Sequence, residues 1–297
     1  MPKWTDAFSF TTGALRSRTR AYFVATEDKL ARKQLPHWSL ITWDSGKWFQ
    51  DNFDWAAVSI CIAKKPKEQM VAVGVEGEAH VRGAGESVNE EVRDGKLSPA
   101  DRGPLQGVRT IDGYAYACGM GRQVYRRDAG TWTCLDEGCR ASKGDGAVGF
   151  KDIDGFSARD IYAVGFKGEI WHYDGKTWSR VDSPTNVILN DVCCADDGTV
   201  YVAGYKGLLL RGNAKKMEVV DHESTKENIW GLAWHEKKLY LSTLKRVMTL
   251  AKDELKMVDM DAPVTSAYHL TTADGQLWSV GPKDIMAFDG MAWTRVE

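Results

Sequence analysis

Three observations predict an all-β protein built from repeated four-stranded antiparallel sheets. A short apolar run ending in a small residue recurs seven times, and an Asp-to-Trp spacing recurs four times behind it. The chain is also rich in turn formers and flat side chains, with 29 Gly and 12 Trp among 297 residues against only 8 Pro. Glycine marks tight turns, because it takes backbone conformations closed to other residues, and large rings cover sheet faces. No apolar pattern of helical period persists for a dozen residues, which sets aside solenoids of helices.

The first repeat reads Tyr-Phe-Val-Ala at 22–25, Val-Ala-Val-Gly at 71–74, Tyr-Ala-Cys-Gly at 116–119, Tyr-Ala-Val-Gly at 162–165, Tyr-Val-Ala-Gly at 201–204, Tyr-Leu-Ser-Thr at 240–243 and Leu-Trp-Ser-Val-Gly at 277–281. The interval falls from 49 residues between the first two copies to 38 between the last two. The second repeat is Asp44 to Trp48, Asp128 to Trp132, Asp174 to Trp178 and Asp289 to Trp293, each with a Gly one or two places after the Asp. An Asp that accepts backbone N–H groups two or three residues on, followed by a Gly at positive φ, makes a hairpin turn. The Trp then opens the next strand and covers its neighbour.

The fullest copy has four short segments, at 150–153, 160–165, 169–173 and 178–181, separated by turn residues, and reads as a four-stranded meander. Such a sheet cannot bury both faces alone. Seven units of about forty residues fit a seven-bladed β-propeller, which closes radially and leaves only short edges. The expected blades are 5–53, 54–98, 105–139, 148–183, 187–222, 227–260 and 264–297, each continuous in sequence. The least repetitive stretch, 83–107, carries Glu86, Glu90, Glu91, Asp94 and Asp101 and is expected to be a long insertion between blades 2 and 3, as a loop or short helix. Whether residues 2–5 add a closing strand to blade 7 is left open. A β-sandwich is the alternative, but sandwiches do not repeat a whole four-strand unit. The one Trp-Asp dipeptide, Trp43-Asp44, has no Gly-His partner and is not repeated, which disfavours a true WD-repeat protein.

The segment Val-Gly-Phe-Lys-Gly-Glu-Ile-Trp-His-Tyr-Asp-Gly-Lys-Thr-Trp at 164–178 resembles the repeat of bacterial stand-alone propellers related to the BNR/Asp-box class and to the photosystem II assembly factor propellers. In that class an Asp-x-Gly-x-x-Trp-like hairpin joins the third and fourth strands. The likeness covers most of the chain at blade level, but blades 2, 5 and 6 lack the Asp and Trp. It supports the fold and says little about activity, since one fold hosts many functions.

Composition excludes several function classes. With 39 Lys+Arg against 41 Asp+Glu the formal net charge is −2, so binding to nucleic acid or an anionic membrane through excess positive charge is not expected. The N-terminus has neither a basic nor an apolar leader segment, and the longest apolar stretch, 55–63, is half a membrane span, so a cytoplasmic location is expected. Cys61, Cys118, Cys193 and Cys194 lie in strand-like runs with no C-x-x-C spacing and are expected as free thiols. Cys134 and Cys139 stand in a polar turn where a disulfide could form in an oxidising compartment. No metal site, cofactor site or catalytic residue is identified. No two of the six His lie at ligand spacing, and HExxH, GxSxG and Walker motifs are absent. Carboxylates such as Asp182, Asp196, Asp197, Glu223, Asp259 and Asp261 read as turn or surface residues. Asp152-x-Asp154-Gly155 is a fragment of a calcium loop without its closing Glu and reads as a turn. His269 is expected to be a hydrogen-bonded structural residue in an inner strand next to Tyr268, and Trp230 and Trp234 flank another inner strand where one of them could line the channel mouth.

One surface arrangement stands out. Two residues beyond the small residue that ends the second strand, four consecutive blades carry Lys167, Lys206, Lys245 and Lys283. Equivalent turns lie on one face of a propeller, so the four form a basic arc, extended by Arg246 and Arg122, while blade 2 carries Glu76 instead. Such an arc recruits an acidic protein surface or a phosphate-bearing ligand. The expected function is therefore a non-catalytic, protein-binding propeller, monomeric because the ring leaves no edge to cover. The resemblance to small bacterial propellers implies an immunity or antitoxin protein that neutralises a toxin. The alternatives are a glycan-acting or sialidase-like hydrolase, with carboxylates at the channel mouth, and an assembly factor or scaffold.

Overall fold

The computed structural model describes residues 3–260 and 262–297; Pro2 and Asp261, both named above, lie outside them. Among the described residues the strands form seven four-stranded antiparallel sheets, each a meander continuous in sequence. The inner strands are Phe8–Ser17, Ala57–Ala63, Leu105–Ile111, Phe150–Ser157, Leu189–Cys194, Gly231–His235 and His269–Ala273. Each inner strand touches the next, and that of blade 7 touches that of blade 1, so the sheets form a closed seven-bladed β-propeller around a channel.

A blade has two apolar faces, and its neighbours cover both. Among the described residues seven apolar clusters occur, and each straddles one seam: Phe150, Ile161 and Trp178 of blade 4 with Tyr116 and Val124 of blade 3, for instance, and Trp293 and Met286 of blade 7 with Tyr240 and Val247 of blade 6. The recurrent tryptophans work at these seams. Trp178 donates its indole N–H to the Leu135 carbonyl of blade 3 at 2.7 Å, and Trp132 donates to Glu90 of blade 2 at 3.2 Å.

The repeated small residue has a steric cause. A Cβ on Gly165 would lie 2.1 Å from the Gly149 carbonyl oxygen, and one on Gly204 would lie 2.4 Å from that of Ile188. Both oxygens belong to the chain entering the inner strand of the same blade. There Phe166 N–H bonds Gly149 O at 3.0 Å and Tyr205 N–H bonds Ile188 O at 3.0 Å. The glycine thus lets the second strand end against incoming backbone that cannot move aside.

The fixed Asp-to-Trp spacing covers two different turns. Asp174 and Asp289 accept backbone N–H groups two and three residues on at 2.8–2.9 Å, as expected. Asp44 and Asp128 instead end their strands before two-residue turns with both central residues at positive φ, Ser45-Gly46 and Ala129-Gly130. This is the hairpin geometry that matches strand twist. Their carboxylates are left to pair with Arg20 and Arg126.

Three further differences from the sequence reading concern placement. Within 83–107, Glu86–Glu91 is the outer strand of blade 2, so the connection narrows to residues 92–104 with a short helix, Pro99–Arg102, capped by Ser98. Asp152 and Asp154 lie within an inner strand, not a turn, since they pair with Val164 and Tyr162 of the second strand of blade 4. The N-terminal segment Trp4–Asp6 is a 3-10 turn, so no strand from these residues joins blade 7.

The ring instead closes by side chains and isolated hydrogen bonds. Phe23 stacks on Trp278 of blade 7 with centroids 6.1 Å apart, and Phe10 N–H bonds the Pro282 carbonyl at 3.1 Å. Lys283 reaches across to the carbonyls of Thr5 and Phe8 at 3.0 and 2.8 Å and to Asp28 at 2.7 Å. Trp178→Ala should cost about 3–5 kcal/mol, as expected for a buried aromatic whose removal leaves a cavity, and Gly165→Ala should lower the denaturation midpoint because backbone must shift. Urea denaturation followed by tryptophan fluorescence checks both.

Candidate functional site

The inner strands of blades 1 to 5 each begin with a one-residue bulge, seen as a register break at Phe10/Thr12, Ala57/Ser59, Leu105/Gly107, Phe150/Asp152 and Leu189/Asp191. A bulge raises local twist and re-aims a side chain. The extra residues are Thr11, Val58, Gln106, Lys151 and Asn190, and the matching positions of blades 6 and 7 are Trp230 and Tyr268. All seven line a central cavity of about 660 Å³. These positions lie beside the turns between second and third strands, because Phe150 pairs with Gly165 and Leu189 with Gly204. The channel mouth and the lysine turns therefore share one face.

That mouth is asymmetric. On blades 1 to 3 it is small and polar or aliphatic. On blades 5 to 7 it carries a row of rings, with Tyr205 and Trp230 centroids 5.7 Å apart and Trp230 and Tyr268 5.4 Å apart, all three half-buried. Between the two halves stands Lys151, whose ammonium donates to Gln106 Oε1 at 2.9 Å and lies 6.0 Å from the centre of the Phe166 ring. Burial pushes the Lys151 ammonium below its ordinary pKa. Tyr205 also walls a second hollow of about 540 Å³ with Lys206, Val220, His222 and Thr225.

Deeper in the channel the lining is a set of engaged charges. Arg109 forms an ion pair with Asp152 at 2.9 Å and with Asp191, and these two carboxylates accept the backbone N–H groups of Val192 and Leu232 on the following blades at 3.1 and 2.8 Å. Asp154 accepts Cys194 N–H at 2.8 Å, and His269 bonds the Gly13 carbonyl at 3.0 Å as the structural residue expected. Burial raises Asp154 to about 6, with Arg109 opposing it. Burial also lowers His269 to about 4, and the Arg109 charge adds to that shift. Burial works against ionisation of Asp152, but the Arg109 charge and hydrogen bonds hold it below the usual carboxylate range. Asp152 and Asp191 also hydrogen-bond each other beside the Arg109 guanidinium; burial and the neighbouring Asp152 charge push Asp191 well above the usual carboxylate range. Among the described residues no group of three His, Cys, Asp or Glu is placed to hold a metal ion, and all six cysteines, Cys134 and Cys139 included, are free thiols.

The residues of the expected arc divide into two sets. Lys167 and Lys206 are the middle residues of three-residue 3-10 turns, Phe166–Gly168 and Tyr205–Gly207, and take positive φ, 57° and 60°. Lys167 Nζ donates to the Asp145 carbonyl at 2.8 Å. Lys206 and Lys245 are exposed, and their recorded bonds are through backbone N–H alone. Arg246 is exposed beside Glu227 at 3.6 Å. Lys283 and Arg122, by contrast, are committed within the chain. Lys283 latches the closing seam, and Arg122 is buried in a two-pronged pair with Glu169 at 2.7 and 2.8 Å and a contact to Asp145 at 3.1 Å. The arc in solvent is thus Lys167, Lys206, Lys245 and Arg246, on blades 4 to 6. One of Trp230 and Trp234 was expected at the mouth, and both line the cavity; the bulge positions and Tyr205 were not expected, although the residues ahead of the turn lysines, Phe166, Tyr205 and Leu244, are apolar or aromatic.

The architecture defines a seven-bladed propeller with a concave, aromatic and basic mouth on one face. Solved propellers share the fold: the WD40 β-propeller domain of Doa1 superposes with a TM-score of 0.70 at 12% identity, covering 95% of this chain and 93% of that one. YCF48, solved bound to a D1 peptide, gives 0.69 at 16% identity over 97% and 93%. No family model matches the chain. The chain is 42% identical over 305 residues to Immune protein Tsi7 of Pseudomonas aeruginosa, with both chains covered in full, and it belongs to the family of that protein. Among the described residues no helix is long and apolar enough to cross a membrane.

Arg109→Met should destabilise the fold by about 3–5 kcal/mol near neutral pH, because it leaves the buried Asp152 carboxylate without its cation beside Asp191, which burial and Asp152 already push toward its protonated form. The loss should shrink as pH falls toward 4 and those carboxylates take up protons. In the wild-type chain the depressed His269 works in the opposite direction: its contribution is present above pH 6.5 and is lost as pH falls through about 4. Urea titrations of both chains from pH 7.5 to 4 separate the two trends.

Proposed function

We propose that this protein is an immunity protein: a non-catalytic, cytoplasmic propeller that binds a toxin and blocks it by occupying its surface. The observation that carries the reading is the full-length 42% identity to Immune protein Tsi7. The architecture agrees with it. A closed ring of seven sheets is a rigid platform, so an interface on one face loses little ordering entropy on binding. Lys167, Lys206, Lys245 and Arg246 form the basic rim that steers an acidic partner surface to that face. The engagement of Asp152 and Asp191 by Arg109 supports a structural role for the channel carboxylates over a hydrolytic one.

Co-purification from the native cell with mass spectrometry should recover one stoichiometric partner whose toxicity is relieved by co-expression of this chain. Recovery of no such partner overturns the reading. Reversing the rim charges together, with Lys167→Glu, Lys206→Glu and Lys245→Glu, should weaken the complex at least about tenfold and slow association most at low salt. Surface plasmon resonance at two ionic strengths reads both effects.

A further inference from the structure

We propose that an acidic loop of the partner enters the channel mouth, with its apolar part against the Tyr205–Trp230–Tyr268 row and its carboxylate directed to Lys151. This rests on the immunity reading above and adds to it the chemistry of the segment recognised and the residues that anchor it.

The seven blades form a pseudo-sevenfold repeat. Equivalent positions do equivalent packing work, so a requirement of the fold appears in every blade. The residues just before the mouth positions follow that rule in six of the seven blades: Phe10, Leu105, Phe150, Leu189, Ile229 and Ala267 are fully buried, and Ala57 of blade 2 is half-buried. The mouth positions do not. They change from Thr11 and Val58 through Lys151 to Trp230 and Tyr268, and the large rings are confined to adjoining blades. Tyr205, at the turn of blade 5, extends that row to the rim. Ring closure needs none of these, since blades 1 to 3 close with small side chains at the same places.

Their state also fits a binding surface. The three rings are half-buried and touch in a row across blades 5 to 7; Trp230 and Tyr268 line the central cavity and Tyr205 walls the adjoining hollow. Leu244, which occupies the turn position of Tyr205 one blade on, is 50% exposed beside Lys245. Aromatic anchors in a concavity, surrounded by charges that stay in water, are the arrangement that concentrates binding energy at a few residues. Charge selects the occupant. Lys151 is the cation at the mouth itself, Lys206 and Lys245 stand on the adjoining turns, and burial already disfavours the Lys151 ammonium, so an arriving carboxylate gains a partner that solvent serves poorly. The carboxylates deeper in the channel, Asp152 and Asp191, are held by Arg109 and by backbone N–H groups and do not oppose this.

The test uses the partner recovered with the full-length chain and titration calorimetry on the purified complex. Trp230→Ala and Tyr205→Ala are each expected to raise Kd by about tenfold or more. Lys151→Gln should raise it by about fivefold and flatten its dependence on salt. Lys64→Glu, at the opposite mouth, should leave it within about twofold. Thermal melts identify any variant that loses its fold, and Trp230→Phe, which keeps an apolar ring, should then retain most of the affinity. If the wild-type chain binds its partner while the Trp230, Tyr205 and Lys151 variants bind equally well, or while Lys64→Glu alone weakens it, the mouth assignment is overturned and the immunity reading stands. If the wild-type chain recovers no partner, both fall.

Discussion

Every blade of this protein is a sheet with two apolar faces and no means of covering either by itself, so the structure depends on the ring being complete. Each seam is a shared apolar cluster, and removing one contact exposes two blades at once. The seam between blades 7 and 1 carries a special burden, because consecutive blades elsewhere are also joined by the chain running from one to the next. Phe23 on Trp278, the Phe10 N–H to the Pro282 carbonyl, and Lys283 reaching Thr5, Phe8 and Asp28 do what a shared strand would do. This explains why the Lys283 ammonium, unlike those of Lys206 and Lys245, is tied to partners within the chain.

The channel follows from the same constraint. Closing seven inner strands leaves one edge of each facing the axis, where backbone N–H groups need acceptors. Asp152, Asp154 and Asp191 supply them to the following blade, and Arg109 neutralises two of the three. The resulting network laces blades 3, 4, 5 and 6 together. Carboxylates in a funnel invite an enzymatic reading, but these are employed in joining blades, and their shifted pKa values have structural causes.

Much of the architecture was legible because a repeat samples the same physics several times. The small residue closing the second strand recurs since a Cβ there meets incoming backbone, as at Gly165 and Gly204. The Trp behind the hairpin recurs in blades 1, 3, 4 and 7, where it covers a seam that Met217 or Leu255 covers elsewhere. The turn chemistry was less legible: the spacing from Asp44 to Trp48 equals that from Asp174 to Trp178, yet one Asp pairs with an arginine and the other builds its own turn. Sequence spacing records the length of a connection, while the backbone path decides what its side chains meet.

The sequence by itself determined the seven units, their strand order and the face on which the turn lysines lie, because these depend on local patterning and on the handed regularity of strands. Tertiary structure alone decided which charges remain available. Arg122 and Lys283 share the repeat positions of exposed residues, but their partners, Glu169 for one and the N-terminal turn for the other, come from distant chain. It also decided the mouth, because a bulge is a property of two paired strands and leaves no fixed mark in one of them. Thr11, Lys151 and Trp230 become equivalent only once their strands are paired and the ring is closed.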